Sequence, residues 1–233
     1  MQKEKRNDQS LTSPSTRKLC VSMVPIFNHL EPDEMREIAG TATSLSLKRG
    51  ELLYSAGDRA DTLYIIHKGR VKIYRLTESG KEQLVRVLEP GDFTGETALF
   101  SDSVHDAFAE AAEQTEICRI QRADLRAFLI KYPQISLKIL SEFSSRLERA
   151  EEQATSFATE DTETRIALYL LNQRKIQQSD DVKLTVTRKD LASLLGTTPE
   201  TVSRKLGFFE ESGWISQESH RKIRILDPDA LQR

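Results

Sequence analysis

The sequence contains few of the residues that mark metal-binding, disulfide-stapled or membrane-spanning proteins. Its 233 residues include only two cysteines, Cys20 and Cys118, and no CxxC pair or Cys/His cluster. We therefore expect no metal site. No apolar run approaches the ~18 residues of a membrane helix, and residues 1–18 lack the apolar core of a signal peptide. These absences predict a cytoplasmic protein without membrane contact, in which both cysteines rest as thiols.

Motifs for catalysis are also missing. The sequence contains no GxSxG, P-loop or HExxH pattern, and its four histidines are scattered along the chain. We therefore expect no enzyme. The net charge of −2 argues against a protein that coats nucleic acid through bulk charge.

Chain length and the change in residue pattern along the sequence predict an α+β protein of two main domains. Residues 1–18 are polar without apolar periodicity and predict a flexible tail. Between residues 44 and 120, short β-like runs alternate with glycine turns, which is typical of an antiparallel β-roll. We predict a β-roll domain over 19–132, a long helix over 133–158 and a second domain over 159–233.

The long helix carries a narrow apolar stripe with the a/d spacing of a coiled coil. Charged residues flank the stripe, which favours a seam between two copies over a broad core face. Packing of the helix on its own domain is the alternative that periodicity leaves open. The predicted dimer seam consists of Leu140, Phe143, Leu147, Ala150, Ala154 and Phe157.

The second domain contains a helix-turn-helix pattern over residues 187–206. Thr187 and Asp190 form a capping box that begins one helix, and Gly196 supplies the turn. Thr198 can cap the next helix, with Pro199 at its first position. The sequence therefore predicts two short helices joined by a tight turn.

The second helix has one apolar and one polar face. Val202, Leu206 and Phe209 follow i, i+4, i+7 spacing and should face the core, which leaves three polar side chains outside. Such side chains can read base edges in a DNA major groove. The predicted base-reading residues are Glu200, Ser203 and Arg204.

Residues around this helix and around a basic hairpin turn can contact the DNA backbone, the hairpin forming a wing. The predicted backbone contacts are Thr187, Arg188, Thr198, Lys205, Arg221 and Lys222. The competing interpretation is an ordinary helical hairpin with a solvated polar face. The joint pattern of caps, turn, core triplet and wing favours double-stranded DNA as the partner.

The chain resembles the CRP/FNR family of bacterial regulators from about Leu19 to Leu226. The resemblance rests on TRKDLASLLGTTPETVSRKL (187–206) and GDFTGETALF (91–100). It implies a cyclic-nucleotide-binding-like jelly roll, a dimerisation helix, a winged helix-turn-helix, a homodimer and RNA polymerase as a partner. The E-x-x-S-R triplet is similar to that of the FNR branch and implies TTGA-like half-sites in an inverted repeat. Pro199 stands where the CRP branch usually has arginine, so recognition should differ there.

The resemblance also bears on the signal. Members that bind cyclic AMP carry an Arg-Ser pair where this chain has Val104–Ala107, and Asp106 would repel a phosphate there. We therefore expect no cyclic nucleotide, and Glu96 to be structural.

Cys118 and Cys20 match regions that supply iron–sulfur ligands in FNR, so the resemblance leaves an iron–sulfur cluster open. A single subunit with two thiols cannot provide the four ligands of a [4Fe–4S] cluster, which puts an FNR-like site in doubt. The chain is more similar to FNR-like proteins of Gram-positive bacteria, which implies a two-thiol redox switch. On this hypothesis, oxidation joins Cys20 to Cys118 and alters operator affinity. A buried, inert Cys118 is the alternative for that residue, whereas Cys20 is expected near an exposed terminus.

Two alternatives for the whole protein remain open. One is the same architecture controlled by a small-molecule effector in the roll. The other is an effector-binding adaptor that recruits a protein instead of DNA. Whether the output is activation or repression is also left open.

Overall fold

The structure, a computed structural model, describes residues 20–96 and 103–232, which form two units. The first takes in the described residues up to Arg75 together with Arg86–Ser145, and the second comprises Leu76–Val85 and Arg146 onward. The predicted tail and the end of the 91–100 motif lie outside the described residues. The predicted domain bounds stay a prediction.

The β-roll is built from short antiparallel strands. The strands are β1 (Thr43–Leu47), β2 (Leu52–Tyr54), β3 (Arg59–Ala60), β4 (Thr62–Lys68), β5 (Val71–Leu76), β6 (Glu82–Leu88), β7 (Phe93–Thr94), β8 (Ser103–Val104), β9 (Phe108–Ala111) and β10 (Thr115–Gln121). One sheet has the order β1-β10-β4-β7 and another β2-β9-β5-β6, while β3 pairs with β8.

The β4–β5 turn shows why glycine is needed in this roll. Gly69 has φ +83°, and a Cβ at this position would lie 2.4 Å from the carbonyl oxygen of Gln114. Only glycine tolerates both the dihedral angle and this approach. The predicted antiparallel roll with glycine turns is confirmed.

Helices lie before and after the roll. They are α1 (Pro32–Thr41), α2 (Arg122–Lys131) and α3 (Pro133–Thr159). The break before Pro133 follows from proline's missing N–H and fixed φ. The first turns of α3 contribute Ile135 and Ile139 to a core that also contains Phe27, Phe93 and Leu125. This core lies between the helices and one face of the roll.

The second unit is a winged helix-turn-helix. After α4 (Thr162–Gln177) come β11 (Asp181–Lys183), α5 (Arg188–Leu194), α6 (Pro199–Glu211), β12 (Ile215–Ser219), β13 (Lys222–Ile225) and a 3-10 turn (Ala230–Gln232). The three strands form a sheet of order β11-β13-β12. The α+β class and its two architectures are therefore confirmed.

Helix α4 differs from the sequence-based expectation. The sequence pattern predicts a helix over Arg165–Leu171 and a polar loop over Gln173–Asp181, but the helix continues to Gln177 and a short strand begins at Asp181. The side chain of Gln177 bonds both the backbone N–H and the carbonyl of Lys183, at 2.9 Å each. These contacts between α4 and β11 have no local sequence signal.

The described ranges contain no helix that is both long and apolar enough to span a membrane.

Candidate nucleic-acid interface

Hydroxyl side chains begin both helices of the helix-turn-helix. The Thr187 hydroxyl accepts from the backbone N–H of Asp190 at 3.1 Å and donates to its carboxylate at 2.6 Å. The Thr198 hydroxyl accepts from the backbone N–H of Thr201 at 3.2 Å, with Pro199 at the first helical position. Each cap satisfies an N–H group that has no partner within its helix.

The turn between the helices depends on Gly196. Its φ is +65°, and an added Cβ would lie 3.1 Å from Cε1 of Phe157. The guanidinium of Arg165 lies 5.3 Å from the centre of the same phenyl ring and donates to the carbonyl of Leu195 at 3.2 Å. The turn is thus held from α3 and α4.

Helix α6 presents the two faces that its spacing predicts. Val202, Leu206 and Phe209 are fully buried. The opposite face exposes Glu200, Ser203 and Arg204. The apolar triplet anchors α6 in the core of the second unit. This anchoring sets the rotation of the helix and therefore which of its polar groups face outward.

The exposed triplet has a defined charge pattern. The Glu200 carboxylate accepts bonds from its own backbone N–H and from Thr198, and these bonds hold its pKa below its usual value. Glu200 is therefore an anionic acceptor. Within residues 20–96 and 103–232, the Arg204 side chain forms no ion pair or hydrogen bond. Its guanidinium is therefore available to a ligand, and guanine offers it two acceptors.

The predicted backbone-contact residues fall into two groups in this structure. Arg188 bonds Ser203 and Gln217, Lys205 forms an ion pair with Glu163, and Lys222 pairs with Glu218 at 2.6 Å. Sequence reasoning missed Glu163 and Gln217 because these contacts cross between elements. The Thr187 and Thr198 hydroxyls cap helices, and Arg221 lies exposed in the turn before β13.

The wing is less basic than its sequence suggests. Arg224 pairs with Asp181 at 2.6 Å and with Glu218 at 3.1 Å, so its charge is offset. His220 and Arg221 form the exposed tip. The indole of Trp214 stacks on Phe209 with ring centroids 5.4 Å apart and thus fixes the start of the wing against α6.

Ser193 is a further residue whose contacts the sequence did not reveal. Its hydroxyl donates to the carbonyl of Glu82 at 2.9 Å and accepts from the N–H of Leu84 at 2.7 Å. Lys189 lies 3.7 Å from the Glu82 carboxylate. These contacts lie within the second unit, because residues 76–85 group with it.

The two cysteines are joined in a disulfide. The state in the structure is thus oxidised and not the thiol state expected for a reducing compartment. Cys20 is fully buried, which corrects the expectation of a residue near an exposed terminus. Both sulfurs belong to the core that holds Ile135 and Ile139 of α3. Over the described ranges, no group of three or more His, Cys, Asp or Glu could hold a metal.

The roll residues expected at a phosphate site have protein partners. The Glu96 carboxylate pairs with Arg86 at 3.2 Å, and exposed Asp106 pairs with Arg75. His105 is buried and stacks on Tyr54 with ring centroids 3.6 Å apart. The absence of cyclic nucleotide binding stays a prediction.

The predicted dimer seam divides along α3. Leu140 and Leu147 are about 60% and 61% exposed, and Ala150 and Ala154 are exposed as well. Phe143 instead packs against the core of the first unit. Phe157 lies against Gly196 and remains 40% exposed.

Leu137 extends the exposed stripe and was missed by sequence reasoning. It is 69% exposed and precedes Leu140 by three residues, which places it at an e position beside the a/d stripe. The a/d pattern does not select it, because Leu137, Leu140 and Phe143 follow two successive steps of three.

Comparison with known proteins follows the same two-part division. The family model for the cyclic nucleotide-binding domain matches residues 44–132, and the model for the Crp-like helix-turn-helix domain matches residues 164–233. The fold and the exposed helix therefore define a DNA-binding transcription regulator with a cyclic-nucleotide-binding-type domain.

Relatives place the chain in one family. It is 33% identical to the probable transcriptional regulator flp of Lacticaseibacillus casei, over 91% of this chain and 96% of that protein. It is 30% identical to the fumarate and nitrate reduction regulatory protein of Escherichia coli K12, over 93% and 86%. The structure of FixK2 from Bradyrhizobium japonicum aligns with a TM-score of 0.72 at 25% identity, over 82% of this chain and 95% of that one. The chain belongs to the CRP/FNR family of transcription regulators.

Proposed function

We propose that this regulator reads a TTGA-like inverted repeat as a homodimer, with Glu200, Ser203 and Arg204 of each α6 in the major groove. The observation that carries the proposal is the outward position of these three side chains on a helix anchored by a buried triplet. Arg204 can donate two bonds to guanine O6 and N7, and anionic Glu200 can accept from a cytosine amine. Arg221 contacts phosphate and adds affinity without sequence information.

The dimer forms along the exposed stripe of α3. Leu137, Leu140 and Leu147 are more than half exposed, which is costly for leucines in a single chain. Ala150 and Ala154 allow close approach of a second helix. A two-fold axis along this seam would place two recognition helices about one DNA turn, roughly 34 Å, apart.

The disulfide is the group through which the regulator senses its signal. Cys20 and Cys118 share a core with the first turns of α3, so breaking their bond changes the packing beneath the dimer helix. We propose that oxidation and reduction of this pair shift operator affinity. The cytoplasm is the site of action, since operator DNA and the RNA polymerase partner are found there.

Binding to a duplex with a TTGA-like inverted repeat tests the reading function. Arg204→Ala is expected to lose preference for the guanine position, because two donors to one base are removed, at roughly 1–3 kcal/mol. Arg221→Ala is the matched control and is expected to weaken matched and scrambled duplexes alike. Equal loss on all sequences for Arg204→Ala would contradict its assigned role.

Binding to the same duplex also tests redox control by the disulfide against the two alternatives, a small-molecule effector and a protein adaptor. Oxidised and reduced protein are compared, beside Cys20→Ser and Cys118→Ser, with free thiols titrated in each state. A redox response that persists in both serine variants would favour a small-molecule effector in the roll. A protein adaptor would show no preference between matched and scrambled duplexes.

A further inference from the structure

Arg188 makes contacts that its predicted role at the DNA backbone does not account for. Its Nη1 donates to the Ser203 hydroxyl at 3.3 Å, and its Nη2 donates to Oε1 of Gln217 at 2.5 Å. Its Nε is buried and has no hydrogen-bond partner in the part of the chain that the structure describes. The guanidinium therefore lies between α5, α6 and β12 instead of extending to a phosphate.

Glu210 fixes the far end of this contact. Its carboxylate accepts from the backbone N–H of Gln217 at 2.6 Å and from the side-chain amide nitrogen of Gln217 at 2.8 Å. With its nitrogen held there, the Gln217 amide must turn its oxygen toward Arg188, and a guanidinium can only donate. Both ends of the amide are thus satisfied in one orientation, which locates the Arg188 side chain.

The chemistry of Ser203 follows from this arrangement. A hydroxyl carries one donor and two acceptor sites. When Arg188 donates to the oxygen, the hydroxyl proton is left to donate elsewhere, and Ser203 is exposed on the recognition face. On the major-groove edge of DNA, its partner would then be an acceptor such as thymine O4 or a purine N7.

We propose that Arg188 is a positioning residue for base reading, which orients Ser203 as a donor to an acceptor on a base edge. The assignment rests on the proposed reading function of α6. Three successive contacts run from Glu210 near the end of α6 to Gln217 in the wing, then to Arg188 in α5, and back to Ser203 on the recognition face of α6. The lowered pKa of Glu210, caused first by the bonds from Gln217, keeps its end of the chain anionic.

The test is a double-mutant cycle on base preference. The sequence that the wild-type protein enriches from random duplexes is changed at each base pair in turn, and affinities are measured for Ser203→Ala, Arg188→Met and the double variant. Both single variants should lose preference at the same base pair, by roughly 2- to 10-fold. The double variant should lose no more there than either single variant, because one interaction is removed by both changes.

Two further variants separate positioning from a phosphate contact. Arg221→Met should lower affinity evenly for every base pair, and its effect should multiply with that of Ser203→Ala. Gln217→Leu keeps the Arg188 charge but removes its anchor, and should lose preference at the same base pair as Arg188→Met. Urea midpoints confirm that each variant is folded. The salt dependence of binding should be unchanged in Gln217→Leu, whereas loss of a phosphate contact lowers its slope by about one.

Different results would overturn the role of Arg188 and the base-reading role of α6. If Arg188→Met weakens all base pairs evenly and its loss multiplies with that of Ser203→Ala, the positioning assignment is overturned while base reading by α6 stands. If the wild-type protein enriches no sequence, the proposed function fails and the assignment fails with it.

Discussion

His105 is a buried histidine whose ring stacks on Tyr54 in the first unit. Burial removes water from its charged form and holds its pKa below the usual 6.5, although Asp58, Asp106, Asp61 and Glu96 oppose this effect. The unfolded chain therefore binds a proton that the folded chain excludes. As pH falls below about 6.5, the free energy of unfolding decreases until the pH reaches the folded-state pKa.

His105→Phe should reduce this acid sensitivity, since phenylalanine keeps an aromatic ring against Tyr54 and does not titrate. Urea unfolding at about pH 7.5 and 5.5 measures the difference by far-ultraviolet circular dichroism. His220→Gln, in the exposed wing turn, is the control and should retain the wild-type response. An identical loss of stability in wild type and His105→Phe would show that this histidine is not the group responsible.

Among single residues, the sequence predicted those whose environment is set locally. The outward position of Glu200, Ser203 and Arg204 follows from helical spacing alone, and the structure exposes all three. Their base contacts stay a prediction. The partner of Arg188 could not be predicted, because Gln217 is 29 positions away and meets Arg188 only in the folded second unit.

At the scale of elements, the turn between α5 and α6 depends on a glycine that two effects require. Gly196→Ala places a Cβ at φ +65° and 3.1 Å from the Phe157 ring. We expect the free energy of unfolding of the second unit to fall by about 1–2 kcal/mol. Fluorescence of Trp214, the single tryptophan, reports this unfolding in urea.

Gly207→Ala is the matched control because an added Cβ there meets nothing within 4 Å and the residue lies inside α6. Alanine should stabilise that helix by about 0.5–1 kcal/mol. Opposite signs for the two glycines are the expected result. A Gly196→Ala variant as stable as wild type would mean that the turn does not depend on the left-handed conformation.

The contrast between α6 and α4 shows what sequence can predict about elements. Helix α6 has a threonine cap, a proline at its first position and a buried triplet at i, i+4, i+7, all readable from 12 residues of sequence. The last turn of α4 and the strand β11 depend on Gln177 contacts to Lys183 and on Asp181 pairing with Arg224. The polar residues of this segment suggest a loop, because the sequence does not show the contacts that order them in the folded protein.

For the whole molecule, the exposed stripe of α3 predicts the oligomeric state. Leu147→Lys places a charge at the centre of the seam and should convert the dimer to a monomer with much weaker operator binding. Ile176→Lys, at a side chain exposed to a similar extent (65% against 61%), is the matched control. Sedimentation equilibrium measures both, and a dimer that survives Leu147→Lys would place the interface elsewhere.

The disulfide constrains the first unit over a separation of 98 residues. Closing so long a loop restricts the unfolded chain, and its reduction should lower the stability of this unit by about 2–5 kcal/mol. Amide hydrogen exchange of β4 and β10 with and without reductant measures the change. The Cys20→Ser, Cys118→Ser double variant should not respond to reductant, and a wild-type protein equally insensitive would contradict the prediction.

The central claim is that the outward face of α6 reads base pairs. Selection from a pool of random duplexes, under reducing and oxidising conditions, tests it most directly. The account predicts that the wild-type protein enriches two TTGA-like half-sites in inverted order, about one helical turn apart, and that Arg204→Ala enriches a motif degenerate at the guanine position. Enrichment of no motif by the wild type, or of the same motif by both proteins, would contradict it.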